Sequence, residues 1–261
     1  MRKIYSLLLL VAMLLPSFAV AQNKAISKSY KSYYSYYKQE SRILLPFAAA
    51  GLAQDKDDPA TSPGRNYSVG VWFHATGIST NSPGAGVIFR MGTGSHANNN
   101  GAANLLLSPN GNLNFSLNND NGFGTGTYSV GNAPLNQWNY VLLVFDSANG
   151  KLRIYLNGQE TVNDGTVSKF GYQWGDGVFQ FFGMCYSGQF DEIQLFNKAL
   201  TAEEAASAYA DASKVDGLAS LYTFDTLKEG TIGQFESVAG SVTDQVATYQ
   251  MCTLLSILYT N

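Results

Sequence analysis

From residue 67 onward, apolar and polar positions alternate with a period of two, the spacing of a strand with one buried face. In "YSVGVWFH", Tyr67, Val69, Val71 and Phe73 share a face. "GVIFRM" (86–91) and "ANLLLS" (103–108) read as further apolar strands. "SPNGNLNFSL" reads as a hairpin that turns at Asn110-Gly111, after which Leu113, Phe115 and Leu117 alternate with polar residues. "QWNYVLLVFD" (137–146) is unbroken apolar, as a strand in the middle of a sheet would be. Turns at Asn149-Gly150 and Asn157-Gly158 flank Leu152, Ile154 and Leu156, and "GVFQFFGMCY" (177–186) adds another strand. Eight or so short strands with turn chemistry between them predict an all-β antiparallel sandwich or barrel.

One helix interrupts this pattern, at the end of "GQFDEIQLFNKALTAEE" (188–204). Thr201 and Glu204 form a capping box, so the helix starts at residue 202 and runs to about Asp211, lying over one end of the sandwich. Strand alternation aligns Asp191 with Ile193 and Leu195 on an apolar face and turns Glu192 to the other. A buried carboxylate must be paired, hydrogen-bonded or on a metal. Asp191 therefore either accepts backbone N–H groups and locks the sandwich closed, or ligates a structural calcium ion.

Composition sharpens the frame. The chain has 261 residues, enough for one sizeable core, and only 13% are charged. "MRKIYSLLLLVAMLLPSFAVAQ" has a basic start, a short apolar run and the small-x-small end Ala19-Val20-Ala21, so residues 1–21 read as a secretory signal peptide cut near Ala21. Its loss removes Arg2 and Lys3 and takes the net charge from −3 to −5. The remaining basic residues cluster only in the N-terminal tail, at Lys24, Lys28, Lys31 and Lys38, which argues against nucleic acid as a partner. No segment has the length and apolarity of a membrane span. Residues 22–62 are a Tyr/Lys/Ser-rich lead-in and a Pro/Asp/Gly loop, either a loosely ordered approach to the body or an adhesive tether. Cys185 and Cys252 either pair, which export allows, or stay as two free thiols.

"YSVGVWFHATG", "PLNQWNYVLLVFDSANGKLRIYLNGQE" and "GQFDEIQLFNKALTAEEAASAY", in that order, resemble the laminin G-like jelly-roll module of the concanavalin A-like lectin/glucanase superfamily. The residues that carry the likeness are Trp72, Trp138 with the apolar strand after it, the Asn157-Gly158 hairpin, and the Gly188 to Glu204 strand and helix. With "DGLASLYTFD" (216–225) behind it, the chain is similar to secreted Bacteroidetes proteins that carry such a module. The resemblance implies a two-sheet antiparallel jelly roll over residues 63–212, often with calcium, that binds sugars or proteins more often than it catalyses. Residues 213–261 are expected to add a strand to the sandwich or to open a truncated second module.

The glucanases of this superfamily resemble one another in a Glu-x-Asp-x-x-Glu strand, and this chain has none. His74 and His96 lack zinc spacing, and no G-x-S-x-G elbow occurs. Sugar recognition needs aromatic faces with amides and carboxylates beside them. Tyr172, Trp174 and Asp176 in "FGYQWGDG", with Asn99 and Asn119 in two further loops, are the candidate ligand-binding residues. Asp191 and Asp120 are the candidate calcium ligands. Trp72 and Trp138 are expected in the core, and Thr201 and Glu204 at the helix cap. The function expected is a secreted, non-catalytic glycan-binding module. The alternative is an adhesive scaffold that contacts a surface protein, with a glycoside hydrolase behind both.

Overall fold

The computed structural model describes residues 26–28, 42–44, 66–78, 85–92, 103–117, 126–146, 148–165, 179–184, 186–224, 234–236 and 246–250. The strands in chain order are β1 (Ile26–Lys28), β2 (Arg42–Leu44), β3 (Tyr67–Ile78), β4 (Gly86–Gly92), β5 (Ala103–Leu107), β6 (Asn112–Leu117), β7 (Gly126–Asn132), β8 (Trp138–Asp146), β9 (Lys151–Leu156) and β10 (Gln159–Asp164). They continue with β11 (Phe179–Met184), β12 (Tyr186–Phe196), β13 (Leu218–Tyr222), β14 (Gln234–Glu236) and β15 (Val246–Gln250). Helix α1 (Ala202–Asp211) lies between β12 and β13. No helix among the described residues is long and apolar enough to cross a membrane.

Two antiparallel sheets face each other as a jelly-roll sandwich. The first runs β1-β12-β3-β8-β9-β10, with β13 also on β12; the second runs β14-β15-β2-β11-β4-β5-β6-β7. Alternate residues of both sheets meet in one core that includes Val69, Val71 and Phe73 of β3, Leu105 and Leu107 of β5, Phe115 of β6, and Leu143 and Phe145 of β8. Tyr67 stacks on Phe145 at 4.5 Å between ring centroids, and Phe115 meets Phe145 edge-on at 6.0 Å. At one side the sheets are tied directly, where the Tyr128 hydroxyl of β7 donates to Asp164 Oδ2 of β10 at 2.7 Å. Burial, and then Asp164, push the Tyr128 hydroxyl far above its ordinary pKa.

The helix sits elsewhere than its sequence suggests. It covers the outer face of the first sheet rather than one end of the sandwich. A second apolar cluster joins Tyr140, Leu142 and Val144 of β8 and Phe196 of β12 to Ala205 and Ala208 of the helix. The reason is visible in β8, whose unbroken apolar run must be covered on both faces. Trp72 stacks on Tyr209 of the helix at 5.3 Å and leans on Tyr140 at 5.2 Å. The helix start is fixed by its own cap, with Glu204 N donating to Thr201 Oγ1 and Thr201 N donating to Glu204 Oε2. The Ser68 hydroxyl donates to Lys198 O and accepts from Leu200 N, and Arg153 donates to Leu200 O, so the segment between strand and helix is pinned to β3 and β9.

The face assigned to Asp191 by simple alternation is also corrected. The β12–β3 register shifts between Asp191 and Gln194, with Glu192 at φ 43°. Asp191 pairs with Trp72 and Gln194 with Gly70, so one extra residue is accommodated on β12. Phe190 and Ile193 therefore both enter the inter-sheet core. Asp191, opposite Trp72, lies on the helix-covered face and not with Ile193 and Leu195.

Candidate functional site

With part of the first sheet's outer face covered by α1, the outer face of the second sheet is the other broad face of the sandwich, and among the described residues it is lined mostly by polar side chains. Its composition follows from register. Phe89, Leu105, Phe115 and Tyr128 pair across β4 to β7 as one inward row. One residue further on, Arg90, Asn104, Ser116 and Thr127 form the adjoining row on the opposite face. On the other side of the inward row, Leu106, Asn114 and Ser129 pair in the same outward sense. Arg90 and Asn104 are each only 8% exposed, whereas Asn114 and Ser116 are half-buried and Thr127 and Ser129 are exposed.

This face is chemically distinctive. Arg90 is the one charged residue among the described residues of β4 to β7, and the rest of the outward rows offers amides and hydroxyls. Asn carboxamides and Ser/Thr hydroxyls both donate and accept, and a guanidinium adds a rigid fork of donors. Such a surface matches partners rich in hydroxyl groups. No carboxylate lies among the described residues of these four strands.

The ends of the strands place the sequence-nominated loops. β4 ends at Gly92, β5 begins at Ala103, β6 ends at Leu117 and β7 begins at Gly126, all at one edge of the face. β11 begins there too, with Phe179 opposite Gly92. The chain segments holding Asn99, Asn119 with Asp120, and Tyr172 with Trp174 and Asp176 thus all attach at the Arg90–Asn104–Ser116–Thr127 end. Those six residues, the signal sequence, the tyrosines of the Tyr-rich segment, Cys185 and Cys252 lie outside the described residues, while 26–28 and 42–43 of that segment belong to β1 and β2.

The remaining nominated residues fall on the other sheet. Asp191 is buried, and its Oδ1 accepts the Glu192 backbone N–H at 2.8 Å. Among the described residues no group of three or more His, Cys, Asp or Glu is placed to hold a metal ion. Trp72 is half-buried against the helix. Trp138, expected in the core, belongs to neither apolar cluster; it is half-buried with its ring 5.6 Å from that of His74. Pairing explains this, because His74 opposes Trp138 on the helix side of β3 and β8, beyond the reach of α1.

Buried polar groups hold the helix side in register. The Tyr140 hydroxyl donates to Gln194 Oε1 at 2.8 Å. A Cβ on Gly70 would stand 2.6 Å from that hydroxyl, so only glycine leaves room for the pair. Burial, and then the Glu192 carboxylate, hold the Tyr140 pKa well above its ordinary value. Asn157, at φ 51°, caps the β9–β10 turn by accepting Tyr140 N–H at its Oδ1 and donating its own N–H to Tyr140 O, both at 2.8 Å.

Residues 50–206 match the family described as the concanavalin A-like lectin/glucanases superfamily, more than half of the chain, and the chain belongs to that family. No curated protein matches the chain. Solved structures similar to it include the CBM40 module of the Ruminococcus gnavus IT-sialidase, bound to α2,3-sialyllactose, at 17% identity over 56% of this chain and 83% of that one, with a TM-score of 0.47. A heptameric SAP-like pentraxin of Limulus polyphemus matches at 17% identity over 83% of this chain and 98% of its own, with a TM-score of 0.46. Domain 4 of AbnA, an extracellular GH43 arabinanase of Geobacillus stearothermophilus in complex with arabinotriose, matches at 19% identity over 56% of this chain and 67% of its own, with a TM-score of 0.40.

Proposed function

We propose that this chain is an exported, non-catalytic carbohydrate-binding module that takes glycans on the outer face of its second sheet. The observation that carries this reading is the outward polar row of Asn114, Ser116, Thr127 and Ser129 beside the buried Asn104 and Arg90, with three loop-bearing strand ends along one edge. Neutral donor–acceptor groups on a rigid sheet suit sugar hydroxyls, and membership of a lectin-bearing family agrees with that chemistry. Tyr172 and Trp174 supply the stacking faces at the rim, and the N-terminal leader directs the chain out of the cell. Asp120, which lies outside the described residues, would be the calcium ligand at this edge.

The test is retention of the mature protein, residues 22–261, on immobilised polysaccharides and on a broad glycan array. Asn104→Ala with Asn114→Ala, and separately Tyr172→Ala with Trp174→Ala, should each sharply lower retention while the protein still melts cooperatively. Retention unchanged by both pairs, or lost only on deleting residues 23–43, would refute the reading and favour an adhesive scaffold.

A further inference from the structure

The opposite sheet carries an aromatic pair that neither apolar cluster uses. Trp138 and His74 are both half-buried, paired in register across β8 and β3, with ring centroids 5.6 Å apart. Gln189 of β12 continues the row on the other side of His74. Around it stand Thr76 of β3 and Asn136 and Gln137 before β8, all exposed. Asn136 is held at φ 62°, and its N–H donates to Ala75 O at 2.7 Å, which fixes this rim to the end of β3. His74 Nδ1 is buried and has no hydrogen-bond partner among the described residues.

Each of these facts is unusual for packing alone. A tryptophan side chain contributes most when buried, yet the helix that covers Trp72 and Tyr140 stops short of Trp138. A buried imidazole nitrogen without a partner marks a polar position that the described protein atoms leave unfilled. The residues named around the pair are a hydroxyl and three amides, and beyond Gln189 the row continues to Ser27 of β1. An aromatic face bordered by neutral groups that donate and accept is complementary to a pyranose, whose C–H face is apolar and whose edge carries hydroxyls.

We infer that the outer face of the first sheet, beyond α1, is a second sugar-binding site in which a pyranose stacks on Trp138 beside His74 and bonds to Gln189, Thr76 and Asn136. It lies on the opposite side of the sandwich from the surface proposed above, so the two sites together make the module bivalent toward polymeric glycans. Bivalent engagement raises retention on a polymer well beyond either site alone.

The experiment compares the mature protein with Trp138→Ala, Trp138→Phe, Thr76→Arg, the Asn104→Ala/Asn114→Ala pair, and that pair combined with Trp138→Ala. Retention on polysaccharide gels and intrinsic tryptophan fluorescence during titration with soluble oligosaccharides are the readouts, with melting curves as the folding control. Trp138→Ala should lower retention by roughly two- to tenfold, the scale of one lost aromatic stacking contact. Trp138→Phe should retain most of it. Thr76→Arg, an exposed change that crowds the rim, should repeat the loss without altering stability. The Asn pair should leave residual binding that the added Trp138→Ala removes.

If Trp138→Ala and Thr76→Arg bind as wild type while the Asn pair abolishes binding, the second site is overturned and the first stands. If the Asn pair binds as wild type while Trp138→Ala abolishes binding, the first reading falls and this one stands. Failure of the folded wild type to bind any glycan overturns both. Should Trp138→Ala not fold, Thr76→Arg and Trp138→Phe decide.

Discussion

Gly188 is where the sheet register is most exposed to a single change. It sits at φ 146°, at a register shift between Ser187 and Gly188 on β12. A Cβ added there would stand 2.0 Å from His74 O, 2.9 Å from His74 C and 2.9 Å from Tyr186 Oη. The obstructing atoms at His74 are backbone, so relief requires moving β12 away from β3, the pairing that also aligns Phe190 with Phe73. Backbone strain in a glycine-only region costs on the order of 1–3 kcal/mol by itself. Disrupting packed core neighbours adds to that, so Gly188→Ala should cost at least about 3 kcal/mol out of a typical ~5–15 kcal/mol. For a domain of this size that lowers the melting temperature by roughly 6–12 °C. The control is Gly77→Ala on the adjacent strand, where the nearest atom to a new Cβ is Ser187 Cβ at 3.7 Å and φ is ordinary. Gly77→Ala should change stability by no more than about 1 kcal/mol. Urea melts of both variants, analysed with a common slope, are the assay. Gly188→Ala within 1 kcal/mol of Gly77→Ala would refute the reasoning.

Three further outcomes follow from the same geometry. Tyr140→Phe leaves Gln194 Oε1 without its donor in a buried site, so it should destabilise by about 1–3 kcal/mol, and a double-mutant cycle with Gln194 should show coupling. Lys198 and then the Thr201 backbone N–H depress the Glu204 pKa, so its stabilising contribution is present above the ordinary carboxylate pKa and lost as pH falls through the lower folded value. Glu204→Gln should remove that acid-side loss, and because the Lys198 pair is partly exposed it should cost no more than about 1 kcal/mol at neutral pH. Burial pushes Tyr222 up to about 12, and burial followed by the Glu160 hydrogen bond pushes Tyr155 up to about 12. For these raised groups stability is complete below pH about 10, the ordinary tyrosine value, and declines as pH rises toward 12. Tyrosinate absorbance should therefore lag in the folded protein and appear with unfolding; a single early titration at the ordinary value would contradict the burial.

The sandwich was readable because its strands repeat a simple rule. Val69, Val71 and Phe73, or Leu113 and Phe115, alternate without interruption, and both sets lie in the inter-sheet core. The unbroken run of β8 announced a strand in the middle of a sheet, but not that its second face is covered or by what. That cover is α1, and its position depends on long-range ties such as Ser68 to Leu200 and Arg153 to Leu200, which no local pattern reveals. Asp191 was misplaced for a related reason. A bulge at Glu192 moves the alternation by one residue, and a non-glycine at positive φ gives no compositional warning. Trp138 sits in an apolar strand, yet its own position faces outward past the end of the helix. Asn114 and Ser116 were already visible as the polar half of the alternation, whereas Asn104 sat in a segment that read as apolar. Only pairing in register gathers them into one face beside Arg90.

The central claim is that this module holds glycans through the outer face of its second sheet. Its most direct measurement is a broad glycan and polysaccharide array probed with residues 22–261, beside the Asn104→Ala/Asn114→Ala variant, in calcium and in EDTA. We expect wild-type binding to a defined set of glycans, weakened sharply by the two substitutions; loss in EDTA would further assign calcium to the rim. A folded wild-type protein that binds no glycan, or a variant that binds the same set equally well, would contradict the claim.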